Sequence, residues 1–161
     1  MAVEAEVLNE LQRLRTRVPQ LRGALAAGAD GLVLARDLPD VEAEALAALT
    51  AAALGVGRRM ADLAARGEFR ELLVRGADGY VATYAAGHSA VLTLLADDRV
   101  NVGRLHLEGR RSGTRIAELM AATSTPDGPP RLPGGTTAPT AQGRPLGSLP
   151  LRIPPQSRYG S

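Results

Sequence analysis

The sequence contains no cysteine, no tryptophan and no lysine, and one phenylalanine and three tyrosines among 161 residues. The missing cysteine excludes a disulfide framework, thiolate chemistry and a cysteine-held metal. The missing lysine excludes a P-loop lysine, and no glycine-rich segment has the spacing that cradles a nucleotide. His106-Leu107-Glu108 matches the H-x-E of zinc deaminases, but the cysteines that complete such a zinc site are absent. Ser89 and Ser112 lack a Gly-x-Ser-x-Gly elbow. His88 falls in a turn, His106 falls beside an apolar stripe, and nothing marks Glu68 and Glu71 as a carboxylate pair. No catalytic, metal or cofactor residue is expected, and the chain reads as a non-enzyme.

Long apolar runs are missing too. Nothing approaches the roughly eighteen residues of a membrane span, and the first residues are acidic where a signal peptide is basic. The expectation is a cytoplasmic protein, membrane-associated only through a partner. All nineteen basic side chains are arginine, a bias that fits a GC-rich, actinobacterial-type genome. The pI near 9.6 is not a signal for nucleic acid. Residues 1–123 carry fifteen Arg against sixteen Asp and Glu, a net −1, whereas 124–161 carry four Arg against one Asp, a net +3. A near-neutral domain without a basic stripe or interleaved aromatics lacks the footprint that phosphate binding requires.

What is present is a regular succession of helix and turn signals. The longest helix spans 41–66, with Asp40 as N-cap, Glu42 and Glu44 in the first turn, and Arg66 followed by Gly67 at the end. Leu46, Leu49, Ala53, Val56, Met60 and Leu63 recur at spacings of three and four, a stripe expected to face the core. Ala47, Ala51 and Gly55, flanked by Ala48 and Ala52, form a second face of small side chains suited to close approach of another backbone. One small domain covers one face of such a helix, so the second face implies a partner. Arg58 and Arg59, set into the apolar segment, read either as presented to that partner or as a solvated flank.

Around this helix, residues 3–17 form an amphipathic helix with Val7, Leu8, Leu11 and Leu14 inward, ended by Pro19. Gly28-Ala29-Asp30-Gly31 joins two apolar runs as a hairpin turn, and the same tetrapeptide returns at 76–79. A further turn at Gly87-His88-Ser89 leads into Ala90–Leu95. Asn101 caps a last helix over 102–122, where Gly109 and Gly113 allow tight seating. The strands alternate weakly, which fits a sheet covered on both faces. The expected fold is α/β: a five-stranded antiparallel sheet between helices, in the order αββαβββα. After Thr123 the composition changes, with nine of the eleven prolines lying in 124–161. The expected organisation is a domain over 1–123 and a Pro/Gly-rich disordered tail over 124–161. The tail's one apolar stretch, Leu146–Ile153, reads as linker or as a short linear binding motif.

Several segments, in this order and spacing, resemble the roadblock/LC7 (dynein light chain) family. They are Val18-Pro19-Gln20-Leu21-Arg22-Gly23, Ala29-Asp30-Gly31-Leu32-Val33-Leu34-Ala35, the alanine-rich long helix, Gly67-Glu68-Phe69-Arg70-Glu71-Leu72-Leu73-Val74, Gly79-Tyr80-Val81 and Asn101-Val102-Gly103-Arg104-Leu105. The resemblance covers about residues 8–122. It is closest to the actinobacterial branch encoded beside a histidine-kinase-like protein and a small Ras-like GTPase, in clusters called conservons. It implies a profilin-like sandwich that homodimerises, with long helices side by side and edge strands joined into one sheet, and that takes no cofactor. It places the dimer or partner contact on Ala47, Ala51, Leu54, Gly55 and Arg58 and on the strand 69–75, with Phe69, Glu71 and Leu73. The function it implies is a non-enzymatic homodimeric regulator of a small Ras-like GTPase. The alternative is a scaffold that links a histidine-kinase-like sensor to other components without affecting nucleotide turnover.

Overall fold

Strand alternation is weak because helices cover both sides of the sheet. The computed structural model describes residues 2–124, so the expected tail, with Leu146–Ile153, lies outside the described residues. The elements are α1 (Ala2–Arg17), β1 (Leu21–Gly28), β2 (Val33–Asp37), α2 (Ala43–Leu63), β3 (Glu71–Gly76), β4 (Gly79–Ala86), β5 (Ala90–Asp97) and α3 (Val102–Thr123). The strands form one antiparallel sheet in the order β2-β1-β5-β4-β3, which leaves β2 and β3 as edges. Alternate residues of β1 serve two cores: Ala24 and Ala26 join α1 and α3 on one face, while Leu25 and Ala27 join α2 on the other. This is the α/β sandwich expected from the order αββαβββα.

The local signals act as their chemistry dictates. Gly31 takes φ +85° in the first hairpin turn, where Asp30 Oδ1 accepts the Leu32 N–H at 3.1 Å. Asn101 Oδ1 caps α3 by accepting the Arg104 N–H at 2.9 Å. A Cβ at Gly109 would stand 2.5 Å from the Tyr84 ring, and one at Gly113 would stand 3.1 Å from the Ala85 carbonyl oxygen, so α3 seats on β4 only because both are glycine. No helix among the described residues is long and apolar enough to cross a membrane.

α1 and α3 are pinned by a polar network that spans most of the chain. Arg17 donates to Glu10 Oε1 at 2.7 Å and to Ser112 Oγ at 2.8 Å, and Ser112 donates to Glu10 at 2.6 Å. Arg17 Nε also lies 2.8 Å from Glu108 Oε2, off the N–H direction, so these two atoms attract as charges without a well-formed hydrogen bond. Burial alone would raise the Glu10 pKa, but the hydrogen bonds from Ser112 and Arg17 outweigh it and hold the carboxyl below its usual range.

α2 departs from the sequence expectation at both ends and in its orientation. It starts after Glu42, which makes no side-chain cap, rather than after Asp40. It ends at Leu63, and the left-handed residue after it is Ala65 (φ +51°), with Arg66 N–H closing onto the Ala61 carbonyl at 2.9 Å. The helix turns inward a strip that lies between the two expected faces: it shares Ala47 with the small face, whose Ala48, Ala52 and Gly55 are exposed and whose Ala51 is half-buried. Ala43, Ala47, Thr50, Leu54 and Gly57 are buried, whereas Leu49, Val56, Met60 and Leu63 are exposed. The sheet supplies the bulk beneath the helix through Leu25 and Val91, with Val33 and Phe69 packed at the margin, so small side chains on α2 bring it close. A Cβ at Gly57 would collide with the Phe69 ring, while one at Gly55 would meet nothing within 4 Å.

This packing gives opposite signs to two glycine substitutions. Gly57→Ala lowers stability by about 1–3 kcal/mol through overpacking, although alanine is the better helix former, while Gly55→Ala raises it by up to about 1 kcal/mol. Urea unfolding of both variants at one protein concentration checks the two signs. Arg17→Met lowers stability by about 1–3 kcal/mol at pH 7, less than for a fully buried pair because Arg17 reaches solvent. The depressed Glu10 pKa contributes stability above its unfolded value of about 4.5, and that contribution is lost as pH falls through the folded value. The deficit of Arg17→Met therefore narrows below about pH 4.5, as unfolding measured at pH 7 and pH 4 would show.

Candidate interaction surface

Four large apolar side chains of α2 stand in solvent: Leu49, Val56, Met60 and Leu63 are 68%, 59%, 62% and 74% exposed. Their spacing places them on one flank of the helix, beside half-buried Leu46 and Ala53. This flank adjoins the side where Gly57 packs on Phe69, just before β3. The opposite flank adjoins the β1–β2 turn, where Gly31 lies against Ala48 and Ala51. It also adjoins the β4–β5 turn, where Arg58 Nη2 donates to the carbonyls of Gly87 at 3.3 Å and His88 at 3.1 Å.

The sheet leaves a matching floor. Glu71 and Leu73 of β3 face the α3 side, so Leu72 and Val74 face the α2 side. Val74 is 52% exposed. In register beside it, Val81 of β4 and then Leu95 of β5 are half-buried. An apolar helix wall and an apolar sheet floor therefore both run to the β3 side. β3 is an edge strand with a regular ladder to β4, without proline or bulge, and among the described residues no strand pairs with its outer N–H and C=O groups. The other edge differs: the β1–β2 register shifts between Ala26 and Ala27, and Asp37 of β2 is tied to Arg15 of α1 at 3.0 Å.

Behind the β3 edge, α3 holds the strand in place. Arg110 pairs with Glu71 through two of its guanidinium nitrogens, Nε donating to Oε2 and Nη2 to Oε1. The hydrogen bond from Arg110 depresses the Glu71 pKa against the opposing effect of burial, and the same bond raises that of Arg110. His106 Nδ1 lies 3.8 Å from Glu71 Oε1 and shares a 3.0 Å hydrogen bond with the Tyr84 hydroxyl. The imidazole stands edge-on to the Tyr84 ring at 5.9 Å. Burial pushes the Tyr84 hydroxyl well above its ordinary pKa. Every member of this cluster is engaged by another, and it works as a brace between α3 and the edge strand.

The residues singled out from sequence divide accordingly. Ala47 and Leu54 are buried against the chain's own sheet and have no surface left for a partner, because they lie on the inward strip of α2 with Ala43, Thr50 and Gly57. Ala51 is half-buried under the β1–β2 turn, and Arg58 is engaged with the β4–β5 turn. Gly55 and Arg59 are exposed on the outer surface of α2. Phe69, Glu71 and Leu73 are half-buried along the β3 edge. Leu49, Val56, Met60, Leu63 and Val74 are surface residues that sequence reasoning misses. The alternating three-and-four spacing of the α2 residues is plain in the sequence, but by itself it points to a core stripe.

A Roadblock/LC7 domain model matches residues 7–96. An uncharacterised protein of Methanocaldococcus jannaschii is 32% identical over 101 residues, 62% of this chain and 88% of its own length. In fold, the chain is similar to the gliding protein MglB of Thermus thermophilus, with a TM-score of 0.69 at 24% identity, over 76% of this chain and 93% of that one. It is also similar to a Roadblock/LC7 domain from Streptomyces avermitilis, with a TM-score of 0.66 at 22% identity, over 71% and 97% of the two chains. With its strand order, its helix placement and a domain match over more than half of its length, this chain belongs to the Roadblock/LC7 family.

Proposed function

We propose that the protein is a non-enzymatic, homodimeric regulator of a small Ras-like GTPase. The observation that carries the dimer is the open apolar corner between α2 and β3, bounded by an unpaired strand edge. A second copy brings the same wall to the same opening, and antiparallel pairing of β3 with its twin satisfies both edges at once. Full coverage of a Val, Leu or Met side chain is worth about 1.5–3 kcal/mol. Five partly covered side chains on each of two protomers give on the order of 10 kcal/mol, which is comparable with the roughly 4–15 kcal/mol cost of association. The paired edge adds backbone hydrogen bonds to this.

Support for the GTPase comes from family membership and from the outer flank of α2, which such a pair leaves free. That flank carries Ala48, Ala52, Gly55 and Arg59, and Leu32 on the neighbouring turn is 66% exposed. In this reading the regulator acts by shape, repositioning the GTPase's own residues.

Met60→Glu halves the solution mass measured by light scattering, and a wild type that is monomeric at tens of micromolar contradicts the dimer. Gly55→Arg keeps the dimer mass and weakens binding of the neighbouring-gene GTPase at least tenfold in a pull-down titration. GTP hydrolysis and exchange, measured with and without the wild type, separate the two functions. A changed rate supports regulation, and binding with unchanged rates assigns the scaffold role, linking a histidine-kinase-like sensor to other components. Absence of binding contradicts both.

A further inference from the structure

Which backbone groups β3 turns outward follows from its ladder to β4. The Ala85 N–H donates to the Arg70 carbonyl at 2.9 Å, and Arg70 stands one step before the Glu71–Tyr84 pair that opens the β3–β4 register. Antiparallel ladders alternate bonded and non-bonded pairs. Leu72 and Val74 therefore turn their N–H and C=O groups to β4, and Glu71, Leu73 and Arg75 turn theirs away from it. The side chains of these three residues share the α3 face. Glu71 meets Arg110 there, Leu73 packs against the core on that side, and the Arg75 guanidinium lies 5.7 Å from the centre of the Tyr80 ring, which packs against the same core. Arg75 is exposed, and among the described residues it pairs with no carboxylate. The outward positions of the edge thus read acid, leucine, base.

We infer that the charges of Glu71 and Arg75 set the register of the β3–β3 pairing and make this strand selective for a second copy of itself. The inference rests on the homodimer proposed above and adds to it the residue on the two-fold axis, Leu73, and a cross-strand ion pair on either side. In an isologous antiparallel pair, outward residues face outward residues, so the two strands shift against each other only in steps of two residues. Centred on Leu73, the pair sets Glu71 of each protomer directly opposite Arg75 of the partner subunit, on one face of the joined sheet, and the outward N–H and C=O groups of all three residues find partners. Centred on Leu72, it sets Glu71 opposite Leu73 of the partner subunit; centred on Val74, it sets Arg75 opposite Leu73 of the partner subunit. Both ion pairs are lost in either case. Centred on Glu71 or on Arg75, it brings like charges together. Opposite charges across paired strands attract and directly opposed like charges repel, so the register centred on Leu73 is favoured. Arg110 occupies one site on each oxygen of the Glu71 carboxylate, and a carboxylate accepts about four hydrogen bonds, so Glu71 keeps capacity for a second guanidinium. A related chain whose edge lacks the acid, leucine, base order gains no such ion pairs, and the strand prefers its own copy.

Because the sequence has no cysteine, single-cysteine oxidation of the full chain reads the register directly. In the register centred on Leu73 the two Leu73 Cα atoms stand about 5.5 Å apart, within the roughly 4.4–6.8 Å that a disulfide spans, whereas the two of Leu72, or of Val74, stand roughly 8 Å apart. Under mild oxidation Leu73→Cys is expected to give a linked dimer on a non-reducing gel, and Leu72→Cys and Val74→Cys are expected to stay unlinked. Charge exchange gives a second reading. Arg75→Glu and Glu71→Arg each weaken their own dimer about tenfold or more, and an equal mixture of the two variants yields mixed dimers in native mass spectra well above a random distribution, because both ion pairs return. Linking through position 72 or 74 in place of 73, no linking at any of the three in a protein of dimer mass, or a random mixture of the charge variants overturns the register while leaving the dimer standing. A wild type of monomer mass overturns both.

Discussion

The close seat of α2 on the sheet is the constraint from which the rest of the molecule follows. Gly57 admits the Phe69 ring, and Ala43, Ala47 and Leu54 fill the narrow space over Leu25 and Val91. A helix has one inward face, and here small side chains occupy it. The bulky residues at the same helical spacing must then stand on the flank, where nothing among the described residues covers them. In this account the exposed Leu49, Val56, Met60 and Leu63 are a consequence of how tightly the helix is seated.

The opposite face of the sheet supplies rigidity to the same region. Gly109 and Gly113 let α3 settle onto β4, which brings Arg110 and His106 to Glu71 and anchors the edge strand from behind. The Arg17 network holds α1 against α3, so the layer behind the sheet is fixed by charge as well as by apolar contact. An edge strand braced in this way presents its outer backbone groups in a fixed register, which favours a single mode of pairing.

Much of the fold was legible in the sequence because local chemistry determines it. The repeated Gly-Ala-Asp-Gly turns and the Asn101 cap each act within a few residues of themselves, and the Gly109/Gly113 spacing marks a close helix seat even though the strand it meets, β4, is distant in sequence. What was not legible depended on distant parts of the chain. Periodicity shows that α2 has two apolar stripes, but that the strip between them turns inward is decided by the bulk that Leu25, Val91 and Phe69 already supply. Arg58 finds its partners 29 and 30 residues away, and Ser112 meets Glu10 across 102. The left-handed Ala65 was hidden because Gly67, two residues later, carries the usual stop signal and is itself left-handed.

The central claim is that the apolar corner and the β3 edge are closed by a second copy. Amide hydrogen exchange along β3, followed across protein concentration, tests it most directly, because an open edge leaves half of its N–H groups to water. The account predicts that all β3 amides are protected in the concentrated protein and that the outward half loses protection on dilution. Fast exchange of that outward half at every concentration, with the Leu49 to Leu63 flank equally unprotected, would contradict it.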